Sequence, residues 1–119
     1  MGRVRVLFSL SESQKDMLFQ ADEQEYVADH LAYVEWFTTF PRRPEMAHGL
    51  YKITPSADAD SGYRDASIVP VWSFRRSVHL YPKFGPVVPS EWTSSTVLDQ
   101  CSCFFVNAFS DRNSYYTVF

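Results

Sequence analysis

Apolar and polar residues alternate singly from Arg3 to Phe8, with Val4, Val6 and Phe8 on one side and Arg3 and Arg5 on the other. That period of two predicts a half-buried strand. Ser11 precedes Gln14 at the spacing of a capping box, so one or two helical turns are expected over Ser11–Phe19. The acidic stretch Gln20–Asp29 reads as a loop. Leu31–Phe37, rich in aromatic and β-branched residues, gives the clearest strand signal in the chain. Pro41-Arg42-Arg43-Pro44 predicts an extended, exposed turn. Leu50–Ile53 and Ala66–Val71 are the next strands, joined by a polar loop over residues 54–65 that tips a hairpin. Pro70 marks the end of its strand as an edge or a bulge.

Further along, Trp72-Ser73-Phe74 fits a 3₁₀ turn, and Arg76–Tyr81 is another alternating run. A Pro- and Gly-punctuated loop covers Pro82–Pro89, and a helical turn is expected over Ser95–Gln100. Cys103–Val106 and Tyr115–Phe119 are the last strands, joined by the turn residues Ser110–Asn113. The expected fold is mainly β: a small closed or partly open, SH3-like β-barrel of six or seven short strands with two short helical turns. It forms one domain over residues 1–119. Closure removes the exposed edges such strands would otherwise present.

Composition supports a packed core: 45% of residues are hydrophobic, and ten Phe, seven Tyr and three Trp supply large flat side chains suited to pleated surfaces. Only four glycines are present, too few for Gly-rich phosphate loops. A formal charge of -3 weighs against a surface made to clamp phosphates, while leaving room for a local basic face. The two cysteines, Cys101 and Cys103, would lie on one side of a strand about 7 Å apart, too far for an unstrained bridge. There is no apolar leader and no apolar run of membrane-spanning length. The expected location is intracellular, nuclear or cytoplasmic.

The phrases HLAYVEWFTTF (30–40), HGLYKI (48–53), SIVPVWSFRRSVHLYPKFG (67–85), EWTSSTVLDQC (91–101) and FFVNAFSDRNSYYTVF (104–119) carry a resemblance. They resemble the C-terminal domain of basidiomycete proteins associated with Plavaka-type (CACTA-like) DNA transposons. The resemblance implies a fungal host and a mobile-element accessory domain, with any nuclease chemistry in other domains. The order of elements is also similar to that of chromatin-reader barrels of the bromo-adjacent-homology or Tudor kind, an analogy of fold alone.

Chemistry-bearing residues fall into a few groups. Arg75, Arg76, His79 and Lys83, with Arg42 and Arg43, form a basic set that would meet phosphate or an acidic peptide. The plainer use of the same residues is a charged edge that blocks sheet-to-sheet pairing. Tyr33, Trp36, Tyr51, Trp72, Tyr81 and Trp92 are the aromatic candidates: three such rings around one cavity would make a cation–π cage for methylated lysine, or they would stack bases, or simply pack a core, the commonest use of such rings. Trp72 stands apart because it falls in a turn, where no strand pattern buries it, and exposure there would make it an interface anchor. His30, His48, His79 and the cysteines lack metal-ligand spacing, so no metal or other cofactor is expected. No nucleophile elbow or nucleotide loop occurs, and no enzyme is expected. The partner is then a protein or peptide, chromatin included. Nucleic acid is the alternative, and a homodimer through the strand Tyr115–Phe119 is a third course.

Overall fold

A computed structural model describes residues 1–24 and 27–109. These residues are mainly β and form two three-stranded antiparallel sheets. The chain separates into two compact units, each carrying one sheet.

The first unit comprises Gly2–Trp36 and Ala57–Arg76. It holds β1 (Gly2–Ser9), α1 (Glu12–Leu18), β2 (His30–Trp36) and, after the intervening part of the other unit, β4 (Ala66–Pro70) and the 3₁₀ turn Val71–Ser73. The sheet order is β1-β2-β4, with the aromatic-rich β2 in the centre. α1 starts where its local chemistry requires: the Ser11 hydroxyl accepts from Gln14 N–H, and the Gln14 side chain accepts from Ser11 N–H.

β1 departs from the alternation expected of it. Val4 pairs with Val34 but Val6 pairs with Tyr33, so Arg5 is an extra residue in a bulge. Directly paired residues share a face, which places Val4 and Val6 on opposite faces instead of the same one. One face carries the buried Ala32 and Val34. On the other, Val6, Tyr33 and Ile68 form an exposed row across all three strands. Beside them, Glu35 takes Arg5 at 3.1 Å and Arg64 at 3.3 Å.

The second unit contains Met1, Phe37–Ser56 and the described chain from Ser77 onward. Its strands β3 (Tyr51–Ile53), β5 (Leu80–Pro82) and β6 (Phe104–Val106) pair in the order β3-β6-β5, and α2 (Val97–Gln100) precedes β6. Phe104 and Val106 on β6, Ile53 on β3, and Phe37 and Cys101 form a core. Phe37 meets Phe104 edge to face, with ring centroids 5.8 Å apart. Each buried large side chain here contributes roughly 1.5–3 kcal/mol of transfer free energy. Val78, Leu80 and Trp92 cover the core's margin.

Two expectations change. Strand structure begins at Leu80, not at Arg76, because only Leu80–Pro82 finds a partner in β6. The described strands pair as two three-stranded ladders, in keeping with the mainly β class, and β3 and β4 fall in different ladders, so residues 54–65 do not join them as the two arms of a hairpin. The expected strand Tyr115–Phe119, and the dimer contact assigned to it, lie outside the described residues.

Candidate recognition cleft

The 3₁₀ turn Val71–Ser73 follows β4 directly, and the chain turns at Pro70, whose fixed φ suits the entry. Ser73 closes the turn by donating its hydroxyl to the Pro70 carbonyl at 2.6 Å. Between these ends Trp72 projects outward and is 80% exposed. A tryptophan left in water forgoes one of the largest hydrophobic gains available to a side chain, which is why an exposed one marks a contact surface.

Trp72 and Val71 line a cleft of about 620 Å³ together with Lys15, Gln24, Val27, Ala28, Asp29 and His30. α1 supplies Lys15, the segment after it supplies Gln24, Val27, Ala28 and Asp29, and the first residue of β2 supplies His30. Lys15 is held in place: its ammonium is 3.5 Å from Asp29 Oδ1 and 3.8 Å from Glu12 Oε1, and its side chain is only 10% exposed. Gln24 Nε2 reaches Asp16 Oδ1 at 3.1 Å, the Phe19 carbonyl at 3.3 Å and the Lys15 carbonyl at 3.5 Å. The cleft therefore has apolar walls, one exposed aromatic ring and a fixed polar floor. Its described lining includes no serine, threonine or cysteine.

The other residues singled out from the sequence are dispersed. Trp36, in the same unit, is half-buried, and its indole N–H is spent on Ser67 Oγ at 2.8 Å. Among the described cleft residues Trp72 is the only Phe, Tyr or Trp, so the other candidate rings do not join it there. Arg75 and Arg76 are exposed on the loop after the 3₁₀ turn and do not line the cleft. In the second unit, Tyr51 stacks on Phe40 at 5.5 Å and Trp92 packs against the core. The Asn107 side-chain nitrogen lies 3.2 Å from His79 Nδ1 and donates to Tyr81 Oη at 3.1 Å. Lys83 is exposed, its N–H bonded to the Cys103 carbonyl. Arg42 and Arg43 are exposed, as their Pro-flanked turn predicts.

Arg43 lines a second groove of about 510 Å³ with Lys52, Glu45, Thr38, Thr39 and Thr54. Neither Arg43 nor Lys52 forms an ion pair among the described residues. Thr38 Oγ1 accepts from Thr54 N–H at 3.1 Å and from Thr54 Oγ1 at 3.5 Å, which leaves its own proton to donate.

Lys15, Gln24 and Asp29 are absent from the sequence-derived set. One signal pointed to Lys15: it is the single lysine or arginine among six carboxylates in residues 11–30, and such a residue draws neighbours. Among the described residues no three His, Cys, Asp or Glu side chains gather as a metal site, and no helix is long and apolar enough to cross a membrane.

Comparison with protein-family models, with curated proteins and with solved structures returns no match.

Proposed function

We propose that this chain is a non-catalytic interaction module that docks a segment of a protein partner in the Trp72 cleft. The observation that carries the reading is the 80% exposure of Trp72 at the edge of a cleft with apolar walls. A single exposed tryptophan beside a concavity is the usual form of an interface anchor, because its large rigid ring buries much area at small entropic cost. The transposon-associated setting implied by the resemblance, a domain that tethers other machinery to a protein such as a chromatin component, is in keeping with that role and is part of the proposal.

Selection of random twelve-residue peptides on the immobilised native chain tests it, with Trp72→Ala run in parallel. Enriched peptides that lose binding on the Trp72→Ala surface support the reading. No enrichment, or enrichment equal on both surfaces, refutes it.

A second reading is nucleic-acid binding, favoured by one observation: Arg43 and Lys52 line a groove without ion-pair partners. The net charge of -3 weighs against it. Anisotropy titrations of single- and double-stranded DNA at low and moderate salt decide the matter, and absence of binding at low salt removes this reading.

A further inference from the structure

Resting on the docking reading, the hydrogen-bonding inventory of the Trp72 cleft identifies the charge of what enters it. Among the described lining, the lysine and amide donors are already engaged inside the fold, and the Trp72 indole N–H and the His30 ring are the side-chain donor groups left over. The Lys15 ammonium is between Asp29 and Glu12, and Gln24 Nε2 has three oxygens within 3.5 Å. Acceptors remain. Only Oδ1 of Asp29 is used by Lys15, the Asp29 side chain is 86% exposed, and no described donor reaches Gln24 Oε1. The negative face of the exposed Trp72 indole is a further electron-rich surface.

Charge in the surrounding segment has the same sign. Residues 11–30, which supply six of the eight cleft residues, carry six carboxylates and one lysine, and that lysine is the one already paired. An acidic visitor would meet like charge with no unpaired lysine or arginine among the described lining to receive it, and a purely apolar one would leave the exposed carboxylate of Asp29 facing nonpolar surface. A side chain with an apolar stem and a cationic, donor-rich head satisfies walls, ring and acceptors together.

We infer that the cleft receives a lysine or arginine side chain from a basic segment of the partner. The methylene stem lies along Val27, Ala28 and Val71, and the cationic head is shared by the Trp72 ring and the Asp29 carboxylate. Arginine has the better geometry for stacking on the ring, since its planar guanidinium matches the indole face.

Three fluorescein-labelled eight-residue peptides of alternating Leu and X test the inference by anisotropy on the full chain, with X as Lys, Gln or Glu. The Lys peptide is expected to bind and to weaken as salt is raised, the Gln peptide to bind more weakly, and the Glu peptide not to bind. Trp72→Ala should weaken the Lys peptide by roughly fivefold or more, the size of a cation–π contact at a partly exposed site. Asp29→Asn should weaken it about threefold while leaving the Gln peptide unchanged. Because both residues are exposed, these variants are expected to fold, and circular dichroism confirms it. If the Gln peptide binds as tightly as the Lys peptide and still depends on Trp72, the cationic assignment is overturned while the docking reading stands. Lys-peptide binding indifferent to both substitutions is general attraction to carboxylates and also overturns it. If no peptide binds, the assignment is overturned, and the docking reading is then decided by the random-peptide selection alone.

Discussion

Lys15 and Asp29 meet at 3.5 Å across fourteen residues of chain, one side chain 10% exposed and the other 86%. The asymmetry decides what the contact contributes. An ion pair with one partner in water adds at most about 1 kcal/mol, whereas a buried four-carbon stem contributes through ordinary hydrophobic transfer. Lys15→Met keeps most of that stem and should stay within about 1 kcal/mol of the native chain. Lys15→Ala removes three methylenes and should cost roughly 2 kcal/mol. Urea unfolding of the two variants distinguishes the terms: equal losses would mean that the charge, not the stem, holds α1 in place.

Gly2 opens β1 opposite Trp36, where there is no room for a side chain. A Cβ added there falls inside the contact radius of Val34 Cγ1 and 3.0 Å from Trp36 Cε3. Val34 is buried and β-branched, and the Trp36 indole is anchored to Ser67, so neither neighbour moves easily. Gly2→Ala should therefore destabilise the β1-β2-β4 sheet by about 1–3 kcal/mol. Gly85, whose added Cβ meets nothing within 4 Å, is the matched control and should change stability by no more than about 0.5 kcal/mol on substitution with Ala. Thermal melts of the two variants side by side are sufficient.

The features readable from sequence are those decided within a few residues. The Ser11–Gln14 cap formed because both its hydrogen bonds close within one turn of helix. β2 formed where aromatic and β-branched residues crowd together, and Trp72 stood out because a turn offers a large ring nowhere to go. What failed depended on distant neighbours. The Arg5 bulge exists only in register against β2, so the pattern Arg3–Phe8 could not display it. The alternation at Arg76–Tyr81 has the right period, yet a strand also needs a partner, and β6 pairs no further than Leu80. Of the cleft, the ring was legible and the floor was not. Lys15, Gln24 and Asp29 come together through contacts between α1 and a segment whose composition reads only as acidic loop.

The turn bracketed by the isolated bridge between Ala57 and Arg64 carries its own pH-sensitive clasp. Asp58 Oδ2 accepts from the Ser61 hydroxyl at 2.6 Å and from Ser61 N–H at 3.0 Å. These bonds favour the ionised carboxylate, the hydroxyl bond most, and hold Asp58 below its ordinary value. With the folded value below the unfolded one, the clasp's contribution is complete above the unfolded value and is lost as pH falls through the folded one. Carboxyl NMR should show Asp58 titrating at lower pH than in Ser61→Ala, where the midpoint returns toward the ordinary range. An unchanged midpoint would mean the Ser61 bonds do not form in solution. The same turn requires Gly62 at φ +72°, so Gly62→Ala should cost about 1 kcal/mol at any pH.

Cys103 provides a test of the second unit. Its thiol is pushed up chiefly by burial, with Cys101 and Glu45 adding to the rise and Lys52 and Lys83 opposing it. A raised thiol holds less thiolate, the reactive species, at neutral pH. Alkylation of the native chain by iodoacetamide at pH 8 should therefore be slower at Cys103 than in the urea-unfolded chain. Its rate should keep climbing with pH beyond the point where an unfolded cysteine levels off. Cys101 should react more slowly still, since it is 3% exposed and its Sγ is 2.9 Å from the Cys103 carbonyl, to which it donates. Lys52→Met removes the first of the two opposing charges and should slow Cys103 further at fixed pH, while Lys52→Arg should leave the rate nearly unchanged. If Lys52→Met instead accelerates the reaction, access rather than thiolate fraction governs the site, and the unit is more open around β3 and β6 than its buried core implies.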